Sequence, residues 1–193
     1  SSDHFIVMAT ANGTIKKTLL SYYSKPRTVG LRAVDLAGDD TLIGTAVVDG
    51  TKDIMLFSNE GKAVRFDEKD VRATGRVSKG VRGMRLPPGH RVISMVIPEP
   101  DGFLLTVSQN GFGKRTRATD YPTKGRGGKG VKAIQASDRN GPLVGAAQIF
   151  SGEQVILISD QGTMVRIHSD QVSLVGRNTQ GVIVMRLKAS ENL

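Results

Sequence analysis

Short loops that combine glycine with arginine or lysine are the residues of this sequence best suited to chemistry. The clearest is 124–130, which reads Lys-Gly-Arg-Gly-Gly-Lys-Gly. Glycine lets a backbone approach a phosphate closely and expose its amides, while basic side chains supply positive charge. Related loops end at Gly30, Gly80 and Gly181. The pattern therefore predicts phosphate binding rather than a catalytic reaction.

The net charge of the chain indicates which phosphate-bearing partner to expect. The formal charge is +9 and the pI is about 10.0, and such a field attracts polyanions. The basic loops carry no aromatic stacking platform of the kind that single-strand binders use. Duplex DNA, bound through its phosphates, is the predicted partner.

Basic residues also recur at one fixed place along the chain, four positions after each of four spaced glycines: Lys17, Arg65, Arg115 and Arg166. Equivalent positions in a stacked repeat lie at equivalent places, so these residues are expected to form a row on the perimeter. The row and the loops together give the predicted DNA-binding residues: Lys17, Arg27, Arg65, Arg76, Lys79, Arg82, Arg115, Lys124, Arg126, Lys129, Lys132, Arg166 and Arg177.

Residues suited to catalysis or metal binding do not converge in the sequence. Tyr23 and Tyr121 stand at a repeat position that Val71 and Val172 occupy elsewhere, which predicts packing residues rather than nucleophiles. The three histidines fall at unrelated places in the repeat. Loop 124–130 lacks the Gly-Lys-Ser/Thr ending of a P-loop and leads into a strand. We predict no catalytic residue, no metal site and no cofactor in this chain.

The loops belong to a fourfold repeat, which the spacing of one turn glycine reveals. Gly13, Gly61, Gly111 and Gly162 are separated by 48, 50 and 51 residues. Periods of this length are typical of propellers and related arrays, in which small sheets stack on their neighbours. We predict a single repeat domain over 1–193 with four blades: 3–50, 51–100, 101–151 and 152–193.

Each unit is predicted to hold four strands, which makes the chain all-β. An apolar first strand and a basic second strand flank the turn glycine, with Asn-Gly turns in two units. The basic loop and an alternating third strand follow, the latter at 30–36, 80–86, 130–136 and 181–187. A fourth strand completes the first three units. The fourth unit stops before its own, so we expect a truncated last blade and a piece of a larger domain.

Several motifs in the chain match a known family. They include Phe57–Phe66, Asn110–Thr116, Asp138–Gly141 and Val175–Val182. With these motifs the chain resembles the C-terminal domain of the bacterial DNA gyrase A protein over essentially its whole length. The resemblance implies a β-pinwheel, normally with six blades, of which these four correspond to the third to sixth. Loop 124–130 matches five of the seven positions of the family's hallmark box, Gln-Arg-Arg-Gly-Gly-Lys-Gly, which belongs to the first blade.

The resemblance also implies a function for the chain as part of an enzyme. The family binds and wraps double-stranded DNA while the whole gyrase introduces negative supercoils at the expense of ATP. ATP and magnesium are expected only in the rest of the enzyme, so this piece needs no cofactor. The implied protein partners are the N-terminal domain of gyrase A and the gyrase B protein. The piece itself is expected to be monomeric.

Two other binding functions remain open at this stage. The C-terminal tail of the topoisomerase IV protein that corresponds to gyrase A is built from related blades with fewer and more degenerate loops. A protein-binding β-propeller is the second alternative, and its loops are expected to be apolar or of mixed charge. The absence of cysteine, of a signal peptide and of a long apolar run favours the cytoplasm and no association with a membrane. The resemblance implies a bacterial protein associated with the nucleoid.

Overall fold

Fourteen short strands and four 3-10 turns make up the secondary structure of the computed structural model, which describes residues 3–193. The first two residues of the predicted domain lie outside the described part. In chain order the strands are β1 (Phe5–Thr10), β2 (Thr14–Leu19), β3 (Leu42–Val48), β4 (Asp53–Ser58), β5 (Lys62–Asp67), β6 (Val81–Arg82), β7 (Val92–Val96), β8 (Phe103–Ser108), β9 (Phe112–Arg117), β10 (Val131–Lys132), β11 (Leu143–Ile149), β12 (Gln154–Ile158), β13 (Met164–His168) and β14 (Val182–Ile183).

The first two strands of each unit form a hairpin around the repeated glycine, as predicted. All four glycines have positive φ, between 80° and 87°, a conformation that L side chains rarely adopt. At Gly111 packing adds a second reason, because a Cβ there would lie 2.2 Å from the carbonyl oxygen of Met185 in the following unit. A 3-10 turn follows each second strand: Leu20–Tyr23, Glu68–Asp70, Ala118–Asp120 and Ser169–Gln171.

Strands are exchanged between neighbouring units. The sheet orders are β3-β1-β2-β6, β7-β4-β5-β10 and β11-β8-β9-β14, with β12-β13 as a separate pair. Each four-stranded sheet therefore takes three strands from one unit and the third strand of the next. The register is the same at each joint: Thr14 opposite Arg82, Lys62 opposite Lys132, and Phe112 opposite Ile183.

The predicted third strands are shorter than the alternating pattern indicated. Each is a ladder of only two residues, and segment 30–36 of the first unit is not a strand at all. By the register of the other three, its partner would be a second strand of a preceding unit, and residues 3–193 contain none. Within residues 3–193 the strands β12 and β13 of the fourth unit form a two-stranded sheet.

The hydrophobic core lies at the joints rather than within single units. One cluster joins Val7 and Ile15 of the first unit to Ile54 and Leu56 of the second. Two further clusters join the second unit to the third and the third to the fourth. Because each cluster needs side chains from two units, the stacking of units supplies the burial that a single small sheet lacks.

Candidate nucleic-acid interface

Each basic loop lies against the unit that precedes it, since the strand that follows the loop pairs there. We call these the second-unit loop (76–80), the third-unit loop (124–130) and the fourth-unit loop (177–181). Their closing glycines have a packing reason that the sequence did not reveal. A Cβ on Gly130 would lie 2.6 Å from the carbonyl oxygen of Ala63, and the same holds for Gly80 and Gly181 against their own neighbours.

An arginine at the same place in each loop fastens it to the preceding unit. Arg126 donates from Nε to the carbonyl oxygen of Asp70 at 3.1 Å and from Nη1 to that of Arg82 at 2.7 Å. Arg177 makes the equivalent bonds to Asp120 and Lys132, at 2.8 and 2.9 Å. Arg76 donates to Arg32 of the first unit. These guanidinium groups position the loops and retain further N–H donors for another acceptor.

The predicted perimeter row is divided between the inside and the outside of the structure. Lys17 is buried, donates to the carbonyl oxygen of Glu68 at 2.9 Å and lies over the ring of Phe5. Arg65 and Arg115 are half-buried and donate to carbonyl oxygens beside the next unit's 3-10 turn. Arg166 alone of the four is exposed. The first three act as braces between units.

The remaining predicted residues are exposed, and within residues 3–193 their side chains make no hydrogen bond or ion pair. They are Arg27, Lys79, Arg82, Lys124, Lys129 and Lys132, which share this state with Arg166. Exposed arginines outside the predicted set that share it include Arg32, Arg72 and Arg85. Arg85 donates its backbone N–H to the carbonyl oxygen of Gly128, which places it beside the third-unit loop.

Two buried lysines hold loops from beneath, a role that sequence reasoning missed. Lys114 Nζ donates to the carbonyl oxygens of Gly176, Arg177 and Thr179 and to the Thr179 hydroxyl. Burial, with the nearby Arg177 charge, lowers the pKa of Lys114 to about 8. Lys16 donates in the same way to Ala33 and Arg76, and burial lowers its pKa too. One signal for this role is present in the sequence. Lys16 and Lys114 lie three residues after their turn glycines, and the other two units have Val64 and Val165 at that position.

The third-unit loop has Val64 beneath it in place of a lysine, and its backbone compensates. Gly127 has φ +83° and donates its N–H to the carbonyl oxygen of Gly83 at 2.9 Å. Gly83 occupies the repeat position of Ala33, which accepts from Lys16 in the first unit. No residue other than glycine has positive φ in the described chain. The turn at Gly127 therefore supplies to the Gly83 carbonyl oxygen the donor that Lys16 supplies to Ala33.

Tyr121 lies in the core, as predicted, and supports the fourth-unit loop. Its ring packs edge-on against Phe57 with centroids 6.0 Å apart, and the Arg177 guanidinium lies 5.8 Å from the ring centroid. Burial raises the pKa of its hydroxyl, mainly by desolvation. Tyr23 is only half-buried and donates to Ala33.

Residues 3–193 contain no cluster of three or more side chains suited to holding a metal ion. The same residues include no helix long and apolar enough to cross a membrane.

A protein-family model matches the chain in four segments, 4–49, 52–99, 102–149 and 153–193, and describes the DNA gyrase C-terminal domain, beta-propeller. The chain belongs to the DNA gyrase C-terminal domain family. Each matched segment coincides with one of the four units of the repeat.

Curated relatives agree with this assignment. The chain is 53% identical to the DNA gyrase A protein of Pseudomonas aeruginosa over 189 residues, 98% of this chain and 20% of that protein. The identity to the DNA gyrase A protein of Escherichia coli is 50%, over 97% of this chain and 22% of that protein. The chain thus spans about a fifth of the length of these relatives.

Solved structures show the same fold. A DNA gyrase A C-terminal domain matches with a TM-score of 0.87 and 25% identity, covering 100% of this chain and 64% of that one. The C-terminal domain of a DNA topoisomerase IV matches with a TM-score of 0.89 and 24% identity, covering 95% of this chain and 58% of that one.

Proposed function

We propose that this domain binds double-stranded DNA along its basic loops and serves as the DNA-wrapping part of a gyrase A protein. The observation that carries the proposal is the set of exposed cations on repeated loops that are left without partners among residues 3–193. Charge that the fold does not use is available for phosphates, which dominate the affinity of proteins for duplex DNA. Arg76, Arg126 and Arg177 add N–H donors beside those cations.

In the whole enzyme, wrapping would serve ATP-dependent negative supercoiling. The N-terminal domain of gyrase A and the gyrase B protein are the proposed partners, and the cytoplasm is the proposed location. We assign no catalytic step to this chain. ATP and magnesium would act in the rest of the enzyme.

Salt dependence of duplex binding tests the proposal. If about six phosphates are neutralised, log affinity should fall against log salt concentration with a slope of roughly −5. Binding should tolerate changes of sequence, because phosphate contacts carry no direct sequence information. A slope near zero, or preference for single strands, would contradict the proposal. A slope near zero would also favour the protein-binding propeller.

Wrapping is a separate step from binding, and we expect four units to support little of it. Bending 20 to 30 base pairs by 40 to 90° costs on the order of 1 to 6 kcal/mol, which further contacts must offset. The test mixes the chain with relaxed circular DNA, adds a topoisomerase that removes unconstrained writhe, and counts linking number after the protein is stripped. A large change of either sign would mean that these four units suffice to wrap DNA.

A further inference from the structure

The third-unit loop encloses a cavity whose rim is basic. The cavity measures about 210 Å³ and is lined by Val64, Lys124, Gly125, Gly128 and Lys129 among others, with no acidic residue in the lining. This is several times the roughly 30 Å³ that a water molecule occupies in the liquid. The ammonium groups of Lys124 and Lys129 have no hydrogen-bond or ion-pair partner within residues 3–193. A small anion therefore fits the cavity in size and in charge.

The other two loops are filled at the place where this one is open. Lys16 and Lys114 send their ammonium groups into the second-unit and fourth-unit loops. The hydroxyls of Ser78 and Thr179 then bond back across those loops, each at 3.0 Å. In the third-unit loop the corresponding residues are Val64 and Gly128. Both the lysine and the hydroxyl are absent from the same loop, which leaves its interior free.

The open interior does not call for a cation. The carbonyl oxygen of Gly83, whose counterpart accepts from a lysine, already accepts from the Gly127 amide. The charged side chains at the rim are Lys124, Lys129 and the nearby Arg65, and Asp53 is already bonded to Arg65 and to Thr123. The positive charges of Lys124, Lys129 and Arg65 would repel a cation in the cavity, whereas they would attract an anion.

Two glycines of this loop have no explanation in the fold. Gly125 and Gly128 do not have positive φ. A Cβ built at Gly125 meets no atom within 4 Å, and one at Gly128 meets only the Gly130 amide nitrogen at 3.9 Å. Alanine would fit at either place, so packing does not require glycine. The missing side chains instead leave the backbone open to a ligand that comes close.

We propose that the cavity of the third-unit loop seats one phosphate group, held between Lys124 and Lys129 and approached by the backbone at Gly125 and Gly128. The proposal rests on the proposed function, because the source of the phosphate would be the backbone of bound duplex DNA. The second-unit and fourth-unit loops would contact phosphates only at their surfaces, since lysines and hydroxyls close their interiors.

Gly128→Ser tests the seat by placing in this loop the residue that Ser78 supplies in the second-unit loop. We expect the variant to melt at or above the wild-type temperature and to bind a duplex of roughly 25 base pairs about tenfold more weakly, the loss of one charge-assisted contact. Its salt slope should be shallower by about 0.9, since one phosphate fewer is neutralised. Fluorescence anisotropy against salt measures both.

A matched pair of variants separates the seat from a general effect of losing glycine. Gly75 precedes Arg76 as Gly125 precedes Arg126, and it too has open space and no positive φ. Gly125→Ala should weaken duplex binding, whereas Gly75→Ala should leave it unchanged because Lys16 closes that loop. Equal effects of the two variants, or no effect of Gly128→Ser, would overturn the proposal.

Amide NMR identifies the source of the phosphate. Addition of the duplex, and of inorganic phosphate against chloride at equal ionic strength, should both shift the amide signals of Gly125, Gly128 and Gly130 in the wild type and not in Gly128→Ser. Shifts with inorganic phosphate but not with the duplex would overturn the assignment to DNA. If the duplex binds and shifts only the other two loops, the seat is wrong while the proposed function stands. If the duplex does not bind at all, the proposed function itself fails.

Discussion

The third-unit and fourth-unit loops occupy the same place in the repeat but are held by different means. The fourth-unit loop rests on the buried ammonium of Lys114 and on the ring of Tyr121. In the third-unit loop the residues at these positions are Val64 and Val71, and the Gly127 amide donates to the carbonyl oxygen of Gly83, whose counterpart Ala33 accepts from Lys16. A buried carbonyl oxygen must find a donor, but the donor can be either a side chain or a rearranged backbone.

The two solutions alternate along the chain. The first unit offers Lys16 and Tyr23, as the third offers Lys114 and Tyr121, while the second and fourth units offer two valines each. Lysine and tyrosine therefore occur together or not at all. The side-chain solution fills the loop, whereas the backbone solution leaves it open, so neighbouring joints of similar strand pairing present different surfaces to a ligand.

Tyr121→Ala should produce the largest change. Removing the ring from beneath the fourth-unit loop should lower the free energy of unfolding by about 3 to 5 kcal/mol, as expected for aromatic core truncation. Tyr121→Phe is the control and should be neutral or slightly stabilising, because the hydroxyl is buried without a hydrogen-bond partner. Chemical denaturation of both variants measures the effect. A large loss in the phenylalanine variant would contradict the packing role.

Lys114→Met should destabilise the same joint by about 2 to 3 kcal/mol, since the fourth-unit loop loses the donor that its carbonyl oxygens share. Lys132→Met serves as the matched control, because Lys132 is exposed and its change should stay within about 0.5 kcal/mol. Urea denaturation of the two variants compares them. Equal stabilities would mean that the ammonium of Lys114 does not support the loop.

Gly127→Ala tests the backbone solution of the third-unit loop. The added Cβ has room, with its nearest neighbour at 3.6 Å, so the cost comes from φ +83° alone and should be about 1 to 2 kcal/mol. Gly125→Ala should instead raise stability by about 0.4 to 1 kcal/mol, because it only restricts the unfolded chain. Thermal denaturation should show a lowered melting temperature for Gly127→Ala and a raised one for Gly125→Ala. An unchanged melting temperature in Gly127→Ala would mean that the turn at Gly127 does not hold the third-unit loop.

The smallest expected effect is a pH dependence of stability that comes from Lys114 beneath the fourth-unit loop. The pKa of Lys114 is about 8 in the folded chain against an ordinary 10.5, so between these values the unfolded chain binds more protons. Stability therefore rises with pH in this window. Relative to Lys114→Met, the wild type should gain about 1 kcal/mol between pH 7 and 9. A gap that moves in the opposite direction would contradict the lowered pKa.

Sequence patterns predicted the repeat and its hairpins because the turn glycine and the flanking apolar runs are local signals. The same patterns overestimated the length of the third strands. Alternation at 30–36 and 80–86 shows which residues could pair, but not how many residues of a partner strand lie beside them. The repeat pattern also could not predict which of the basic residues are exposed and which are buried. Lys17 and Arg166 share one repeat position, yet a following unit buries the first and none among residues 3–193 covers the second. The open third-unit loop depends on Val64, which is distant in sequence.

The exchanged third strands also set an order of events during synthesis. Ile15 pairs with Val81, and Ala63 pairs with Val131, so none of the three four-stranded sheets is complete when its own unit leaves the ribosome. Until the next unit has been synthesised, the second strand of each of these units lacks the strand that pairs with its outer edge. The same linkage acts in reverse under a pulling force, because no unit can be drawn out without tearing a strand from its neighbour.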